Sequence, residues 1–197
     1  MYLMKTYTLF IAFLSLNIGM SQSDAQVLTL SQAALELTHQ KVTYDPSYFS
    51  IAYPNGYVPS DKGVCTDVII RAFRRLGVDL QKRVHEDMKA NFSAYPKNWG
   101  LKSTDRNIDH RRVPNLRTYF KRHGTELFIT QDPNNYGPGD IVTWNLKDGA
   151  KHIGIVVNKK SKDNKRNLIV HNIGAGQVIE DCLFRFKITG HYRYPKK

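Results

Sequence analysis

The sequence has few of the features that mark metal, redox or nucleic-acid-binding proteins. Its 197 residues include only two cysteines, Cys65 and Cys182, which permit at most one intramolecular disulfide. Neither an H-E-x-x-H sequence nor a C-x-x-C pair is present, and the "HEDM" segment at residues 85–88 matches neither spacing. No segment interleaves basic and aromatic residues as nucleic-acid-binding modules do. We therefore expect no metal, no cofactor and no nucleic-acid partner.

Acidic residues are also scarce. Asp and Glu number 17 against 29 Lys and Arg, which gives a formal net charge of +12. Such a surplus favours an anionic partner, which could be nucleic acid, acidic lipid or an anionic cell-wall polymer. A basic surface that only keeps the protein soluble is the alternative.

Long apolar runs are missing except near the start of the chain. Leu9–Ile18 follows Lys5 and has about half the length of a membrane-spanning helix, and Ser23–Ala25 ("SDA") is a small-residue pattern that signal peptidase cuts after. This predicts a signal peptide over residues 1–25, export to the periplasm or cell envelope, and a single domain over residues 26–197 without a stable membrane span. A membrane anchor is the alternative. Cleavage removes one lysine and one aspartate, so the charge stays +12, and export makes peptidoglycan or another anionic cell-wall polymer the expected partner.

Helical patterns come first and strand patterns follow. Apolar residues recur at helical spacing in four segments: "LSQAALELTHQ", residues 64–76, residues 80–92 and "VPNLRTYFKRHG". Short β-branched and aromatic runs separated by turn residues then follow: "ELFIT", "GDIVTWNL", "HIGIVVNK", "NLIVHNIG" and "KITGHYRY". This order predicts an α+β fold in which N-terminal helices pack on an antiparallel sheet.

Cys65 lies at the start of the second predicted helix. Unpaired N–H groups and the helix dipole lower a thiol pKa at such a place, and the thiolate is the reactive form, although Asp67 opposes this effect if it is ionised nearby. From position alone three interpretations stay open: a nucleophile, a small buried packing residue, or half of a disulfide with Cys182.

A nucleophilic cysteine needs a base, and the base needs a partner that orients it. Alternation in "HIGIVV" places His152 and Gly154 on one face of a strand, and in "LIVHNI" His171 shares a face with Ile169. If the two strands are antiparallel neighbours, His152 and His171 meet across the pair, and Gly154 leaves room beside them. Either histidine could instead be structural.

The order of these elements resembles the NlpC-type cell-wall cysteine peptidases. A Cys at a helix start, "PGDIVTW", "HIGIV" and a following strand that ends in a polar residue are the matching features. The resemblance implies a papain-like core in which Cys65 is the nucleophile and His152 the base, with His171, or alternatively Asn172, as the orienting residue. It also implies amide hydrolysis through an acyl-enzyme, with Cys182 as a bystander.

Longer motifs resemble the exported bacterial family catalogued as domain-of-unknown-function family 1287, which is usually placed in the same superfamily. They are "YPNGYVPSDKGVCTDVIIRAFRRLGVDLQKRVHEDM", "NIDHRRVPNL", "HNIG" and "ITGHYRY". The family leads us to expect an acidic residue in "NG-x-VP", where this chain has Tyr57. If that acid takes part in substrate binding, the departure changes the substrate specificity of this protein and not its triad.

Two weaker patterns concern substrate binding. Arg111 and Arg112 precede the fourth predicted helix, and the planar arginine fork suits the free carboxylates of peptidoglycan stem peptides, although a structural ion-pair cluster is the alternative. Since adjacent residues cannot both face one site, we expect one to bind substrate and the other to be solvated or paired with Asp109.

Tyr53 and Tyr57 could line the Cys65 cleft or merely pack.

Together these patterns predict a monomeric, exported cysteine amidase or peptidase that acts on peptidoglycan peptides. Two other functions fit the same fold. One is a non-catalytic binder of anionic wall polymer that uses the +12 charge. The other is acyl transfer or transglutamination by the same triad.

Overall fold

The computed structural model describes Met1 and residues 28–195. The predicted signal peptide, residues 1–25, lies outside the described part, apart from Met1. Among the described residues, no helix is both long enough and apolar enough to cross a membrane.

The helices form where the periodicity predicts them. They are α1 (Leu30–Leu37), α2 (Cys65–Arg75), α3 (Leu80–Ala90) and α4 (Val113–His123). Thr29 and Gln32 form a capping box at the start of α1, and the Asp79 side chain caps α3 by accepting from the N–H of Lys82. The third helix ends two residues earlier than predicted, and Phe92 belongs to a short 3₁₀ turn.

Within residues 28–195, the strands form one antiparallel sheet, whose strands differ in length, and one small parallel ladder. The six-stranded sheet consists of β3 (Thr125–Glu126), β4 (Ile141–Asn145), β5 (Lys151–Lys160), β6 (Asn167–His171), β7 (Val178–Glu180) and β8 (Lys187–Arg193). Its strand order is β3-β8-β4-β5-β6-β7, and every pairing is antiparallel. The small ladder pairs β1 (Thr43–Tyr44) with β2 (Lys62–Gly63) in parallel. The α+β class and the antiparallel sheet are therefore confirmed.

The sheet separates two apolar cores. On one face, α2 packs against the Ile153, Ile155 and Val157 side of β5. On the other face, Val156 and its neighbours are covered by the segment around Leu183. Each fully buried side chain of this size contributes about 1.5–3 kcal/mol through removal of apolar surface from water. The predicted alternation along β5 is confirmed.

The "PGD" turn fastens β4 to the last strand. The carboxylate of Asp140, which is fully buried, accepts hydrogen bonds from the backbone N–H of Gly137 and from the guanidinium of Arg193. Its Oδ2 also lies 2.9 Å from Nε2 of His191 on β8. Because a buried carboxylate is costly unless it is paired, these contacts fix the turn and the start of the central strands.

Candidate active site

Cys65 is the first residue of α2, and its side chain is buried. The residue is 6% exposed, and the nearby backbone N–H groups of Ile153, Thr66 and Cys65 itself favour the thiolate and so act to lower its pKa. Both cysteines of the chain are free, so the Cys65–Cys182 disulfide does not form.

The predicted lowering of the Cys65 pKa is wrong for this structure. Burial raises the pKa of the thiol to about 12, because removing a thiolate from water costs more than the three N–H groups return. Asp67 raises this pKa further, as we expected of a nearby carboxylate. The Asp67 carboxylate itself accepts the N–H of Val64 at 2.7 Å and so closes the first turn of the helix.

The two histidines meet across β5 and β6, as predicted. Nε2 of His152 lies 2.9 Å from Nδ1 of His171, and the two rings stand edge to face with their centroids 5.1 Å apart. A Cβ atom on Gly154 would lie only 3.2 Å from Cβ of His171 and 2.7 Å from Cγ2 of Ile169. Glycine at this position therefore allows the close approach of the two strands.

His152 is held as a neutral imidazole. Burial and then the neighbouring His171 lower its pKa to about 3. Its Nε2 is engaged with His171, so Nδ1 is the nitrogen that can accept a proton from Cys65. Among the hydrogen bonds of the described residues, none joins the Cys65 thiol to the His152 ring, although α2 packs against β5, the strand that carries His152. Catalytic hydrogen bonds are often loose before substrate binds.

Asn172, the rival for the orienting role, lies elsewhere. Its Nδ2 donates to the carbonyl oxygen of Gly63, and its Oδ1 accepts from the N–H of Gly174. Asn172 thus holds the backbone that leads into α2, whereas His171 is the residue that contacts His152.

Two further side chains lie behind His171. Its Nε2 is 3.6 Å from Oε2 of Glu180 and 3.6 Å from Sγ of Cys182. Burial lowers the pKa of His171, and the Glu180 carboxylate opposes that shift. No sequence pattern points to Glu180, because β7 is only three residues long and carries no strong strand pattern.

A pocket of about 260 Å³ opens at Cys65. Its walls include Tyr44, Trp99, Arg112 and Lys151. The Arg112 guanidinium lies over the Trp99 ring, 4.2 Å from its centroid, and its Nη1 is buried without a hydrogen-bond partner among the described residues. A buried guanidinium nitrogen without a partner is costly, and a ligand carboxylate that reached it would supply one.

Arg111 has a different position. Its Nε and Nη2 each donate to the Asp67 carboxylate at 3.0 Å, and its Nη1 donates to the carbonyl oxygen of Ser47. The internal partner that we expected, Asp109, instead accepts from the N–H of Asp105. Arg111 therefore forms an internal ion pair with Asp67 of α2, even though it also reaches the pocket wall. Of these two arginines, Arg112 is the one with an unpaired donor.

Tyr53 and Tyr57 do not line this pocket. Tyr53 packs edge-on against His85, with ring centroids 5.3 Å apart, and Tyr57 lies under the guanidinium of Arg74 at 4.1 Å. The aromatic walls beside Cys65 are Tyr44 and Trp99, to which no sequence pattern pointed.

Two comparisons with known proteins agree with each other. A family model described as "Domain of unknown function (DUF1287)" matches residues 31–194. The "Uncharacterized protein YijF" of Escherichia coli (strain K12) is 49% identical over 167 residues, which cover 85% of this chain and 81% of the relative. The family match spans Cys65, His152, His171 and the pocket walls. On this evidence the chain belongs to the DUF1287 family.

Proposed function

We propose that this protein is an exported cysteine amidase or peptidase with a papain-like, NlpC-type active site that acts on peptidoglycan peptides. The observation that carries the proposal has two parts: Cys65 is a free cysteine at the first residue of α2, and α2 packs on β5, the strand on which His152 contacts His171. A purely structural thiol does not require a neutral imidazole pair at this place.

Proton transfer begins the proposed reaction. Nδ1 of His152 removes the thiol proton of Cys65 as the sulfur attacks the carbonyl carbon of the substrate. The carbonyl oxygen becomes negatively charged and is stabilised by the backbone N–H of Cys65 and its neighbours at the helix start. His152 then donates the proton to the departing amine, and a thioester remains on Cys65.

Water completes the cycle. His152 removes a proton from a water molecule, the resulting hydroxide attacks the thioester carbonyl, and the carboxylic acid product leaves as the Cys65 thiol is restored. His171 keeps the His152 ring in place throughout, in the role that the orienting residue has in other triads.

Substrate preference follows from the pocket walls. Arg112 and Lys151 give the pocket a positive side, and Tyr44 and Trp99 give it flat apolar surfaces. A peptide stem with a free carboxylate fits this combination, since arginine binds a carboxylate through two parallel hydrogen bonds.

Digestion of purified peptidoglycan sacculi tests this function. Wild-type protein should release soluble peptide or muropeptide products with new amine and carboxylate ends, identified by mass spectrometry. Cys65→Ala should release none, and Cys182→Ser serves as the matched cysteine control that should retain the reaction. Sacculi that stay intact while binding both wild type and Cys65→Ala equally would favour a non-catalytic wall binder. Products joined to an added amine, with little hydrolysis, would favour acyl transfer.

A further inference from the structure

We propose that His171, Glu180 and Cys182 form a zinc site that switches off the base next to it. The three ligand atoms are Nε2 of His171, a carboxylate oxygen of Glu180 and Sγ of Cys182, and all lie within 4.8 Å of one another. The site itself stands on these contacts alone. Its inhibitory effect rests on the proposed function of His152.

The distances between the ligand atoms fit a metal held among the three side chains, although the His171–Cys182 contact is also a sulfur hydrogen bond. His171 Nε2 is 3.6 Å from Glu180 Oε2, which is too long for a nitrogen–oxygen hydrogen bond. In a tetrahedral zinc site with Zn–N of about 2.0–2.1 Å and Zn–S of about 2.3 Å, the nitrogen and sulfur ligands lie about 3.6 Å apart. The observed separation of His171 Nε2 from Cys182 Sγ is 3.6 Å.

The charges and the burial of the ligands also suit zinc. His171 is fully buried and Cys182 is 2% exposed. The side chain of Glu180 is 29% exposed, so the site is accessible to an ion from solvent on the Glu180 side. Zinc binding would release the thiol proton of Cys182 to solvent. A divalent ion with one thiolate, one carboxylate and one neutral imidazole has no net charge, which lowers the cost of burying it.

The positively charged side chain of Arg185 already contacts the outer side of this site. Nη1 of Arg185 lies 2.9 Å from the same Oε2 of Glu180, and the Arg185 side chain is 52% exposed. Arg185 must release Glu180 before the carboxylate can bind zinc. It is therefore a competitor whose removal should strengthen metal binding.

Inhibition follows from where the ring protons must lie. For Nδ1 of His152 to accept the Cys65 proton, the proton of its neutral ring must be on Nε2, which donates to Nδ1 of His171. The proton of His171 then lies on Nε2, the nitrogen that faces Glu180 and Cys182. A metal on that nitrogen displaces this proton, so a neutral His171 carries its proton on Nδ1 instead. Nε2 of His152 must then be the acceptor, and its own proton moves to Nδ1, where it blocks uptake of the Cys65 proton.

Cobalt(II) and zinc titrations test the site without reference to activity. The protein freed of metal should bind one cobalt ion with a thiolate-to-cobalt charge-transfer band, and zinc should abolish the band. Cys182→Ser should lose the band, and Glu180→Gln should weaken binding at least about tenfold, because loss of a residue that only supports a metal ligand already costs about 10–100-fold. Arg185→Gln should tighten it.

The other cysteine supplies the matched control. Cys65→Ser should keep the full band, and thermal denaturation should show that all variants are folded. A band that follows Cys65 rather than Cys182, or no band in folded wild type, would overturn the site.

Proton positions and activity test the switch. Nitrogen-15 NMR of the histidine rings should show the His152 proton on Nε2 without metal and on Nδ1 with zinc. Zinc should lower turnover at least about a hundredfold, since an incorrect tautomer in a serine-protease triad costs about 10⁴-fold. A chelator should restore turnover, and Cys182→Ser should resist zinc relative to its own metal-free rate. If metal bound at Cys182 and turnover stayed at its full rate, the zinc site would stand and the inhibitory switch would be overturned. A protein with no turnover at all would overturn the proposed function, and the spectra would still decide the site.

Discussion

At the scale of single residues, Cys65 shows how burial can reverse a local effect. The helix start supplies N–H groups that favour a thiolate, yet the raised thiol pKa of about 12 and the lowered His152 pKa of about 3 leave both groups neutral between those values. The proton must then move during attack on the substrate rather than before it. The reactive thiolate is a minor species at neutral pH.

Alkylation of Cys65 by iodoacetamide should therefore rise by about tenfold per pH unit between about pH 7 and 10, because the thiolate fraction grows in that proportion below the pKa. The rate is measured in Cys182→Ser, which removes the second thiol, and compared with a free cysteine peptide whose pKa is about 8.5. A rate that levels off below about pH 8.5 would contradict the raised pKa. It would support the sequence-based expectation that the helix start lowers the pKa of the Cys65 thiol.

Arg111 and Arg112 are neighbours in sequence with opposite expected roles. Arg112→Lys keeps the charge and loses the planar fork, so we expect KM for a stem-peptide substrate to rise with kcat less affected. A lost charged hydrogen bond of about 1.5–3 kcal/mol corresponds to roughly ten- to a hundredfold in kcat/KM. Steady-state kinetics measure both constants.

Arg111→Lys is the matched comparison. It breaks the two-bond contact with the buried Asp67, so it should lower the free energy of unfolding by about 1–3 kcal/mol and leave KM within about threefold. If Arg111→Lys raised KM and Arg112→Lys only lowered the melting temperature, the two roles would have to be exchanged.

At the scale of elements, the contact between β5 and β6 depends on Gly154. An alanine Cβ there would lie 2.7 Å from Cγ2 of Ile169 and 3.1 Å from the carbonyl oxygen of Val170, so the strands must part. Gly154→Ala should cost about 1–3 kcal/mol of stability and should lower turnover further, because His152 and His171 separate. Urea denaturation and kinetics measure the two effects, and Lys159→Ala on the exposed part of β5 is the control. Turnover equal to wild type in a folded Gly154→Ala protein would show that the histidine contact is not needed.

The elements also show which features a sequence can predict. Alternation along β5 and β6 was enough to bring His152 and His171 together, because strand geometry fixes which face each residue occupies. The ion pair between Arg111 and Asp67 joins residues 44 positions apart, and no local pattern carries that information. The same holds for Tyr44, which reaches the pocket from β1, for Trp99, which reaches it from a 3₁₀ turn, and for the effect of burial on the Cys65 pKa.

At the scale of the whole molecule, buried neutral histidines make stability depend on pH. His110 is 2% exposed, and burial, followed by the charges of Arg111, Arg74 and His85, lowers its pKa to about 3. Burial and His171 lower the pKa of His152 to about 3 as well. The unfolded chain takes up protons near pH 6.5 whereas the folded chain does not, so folded stability is fully present above about pH 6.5 and falls as the pH decreases toward 3.

Each of these two histidines should reduce the free energy of unfolding by about 1.4 kcal/mol per pH unit in that interval. Urea denaturation between about pH 7 and 4.5 measures the slope. His110→Gln should remove the share of this one histidine, about 1.4 kcal/mol per pH unit, and the same change at the exposed His39 should leave the slope unaltered. A flat stability curve from pH 6.5 to 5 would show that these histidines are protonated in the folded protein.

The net charge acts over the largest distance and should separate capture of the wall from turnover. Screening shortens the reach of surface charge from about 10 Å at 0.1 M salt to about 3 Å at 1 M, so binding to sacculi should weaken with salt in wild type and in Cys65→Ala alike. Changing Lys159, Lys160 and Lys162 to Glu lowers the net charge from +12 to +6 at a surface outside the Cys65 pocket. This variant should bind sacculi less tightly at low salt with kcat unchanged, and the same three residues changed to Arg are the charge-matched control.

Sedimentation of sacculi with bound protein measures the affinity. Binding that is insensitive to both salt and the charge reversal would assign capture to the pocket itself, where Arg112 is the first residue to test.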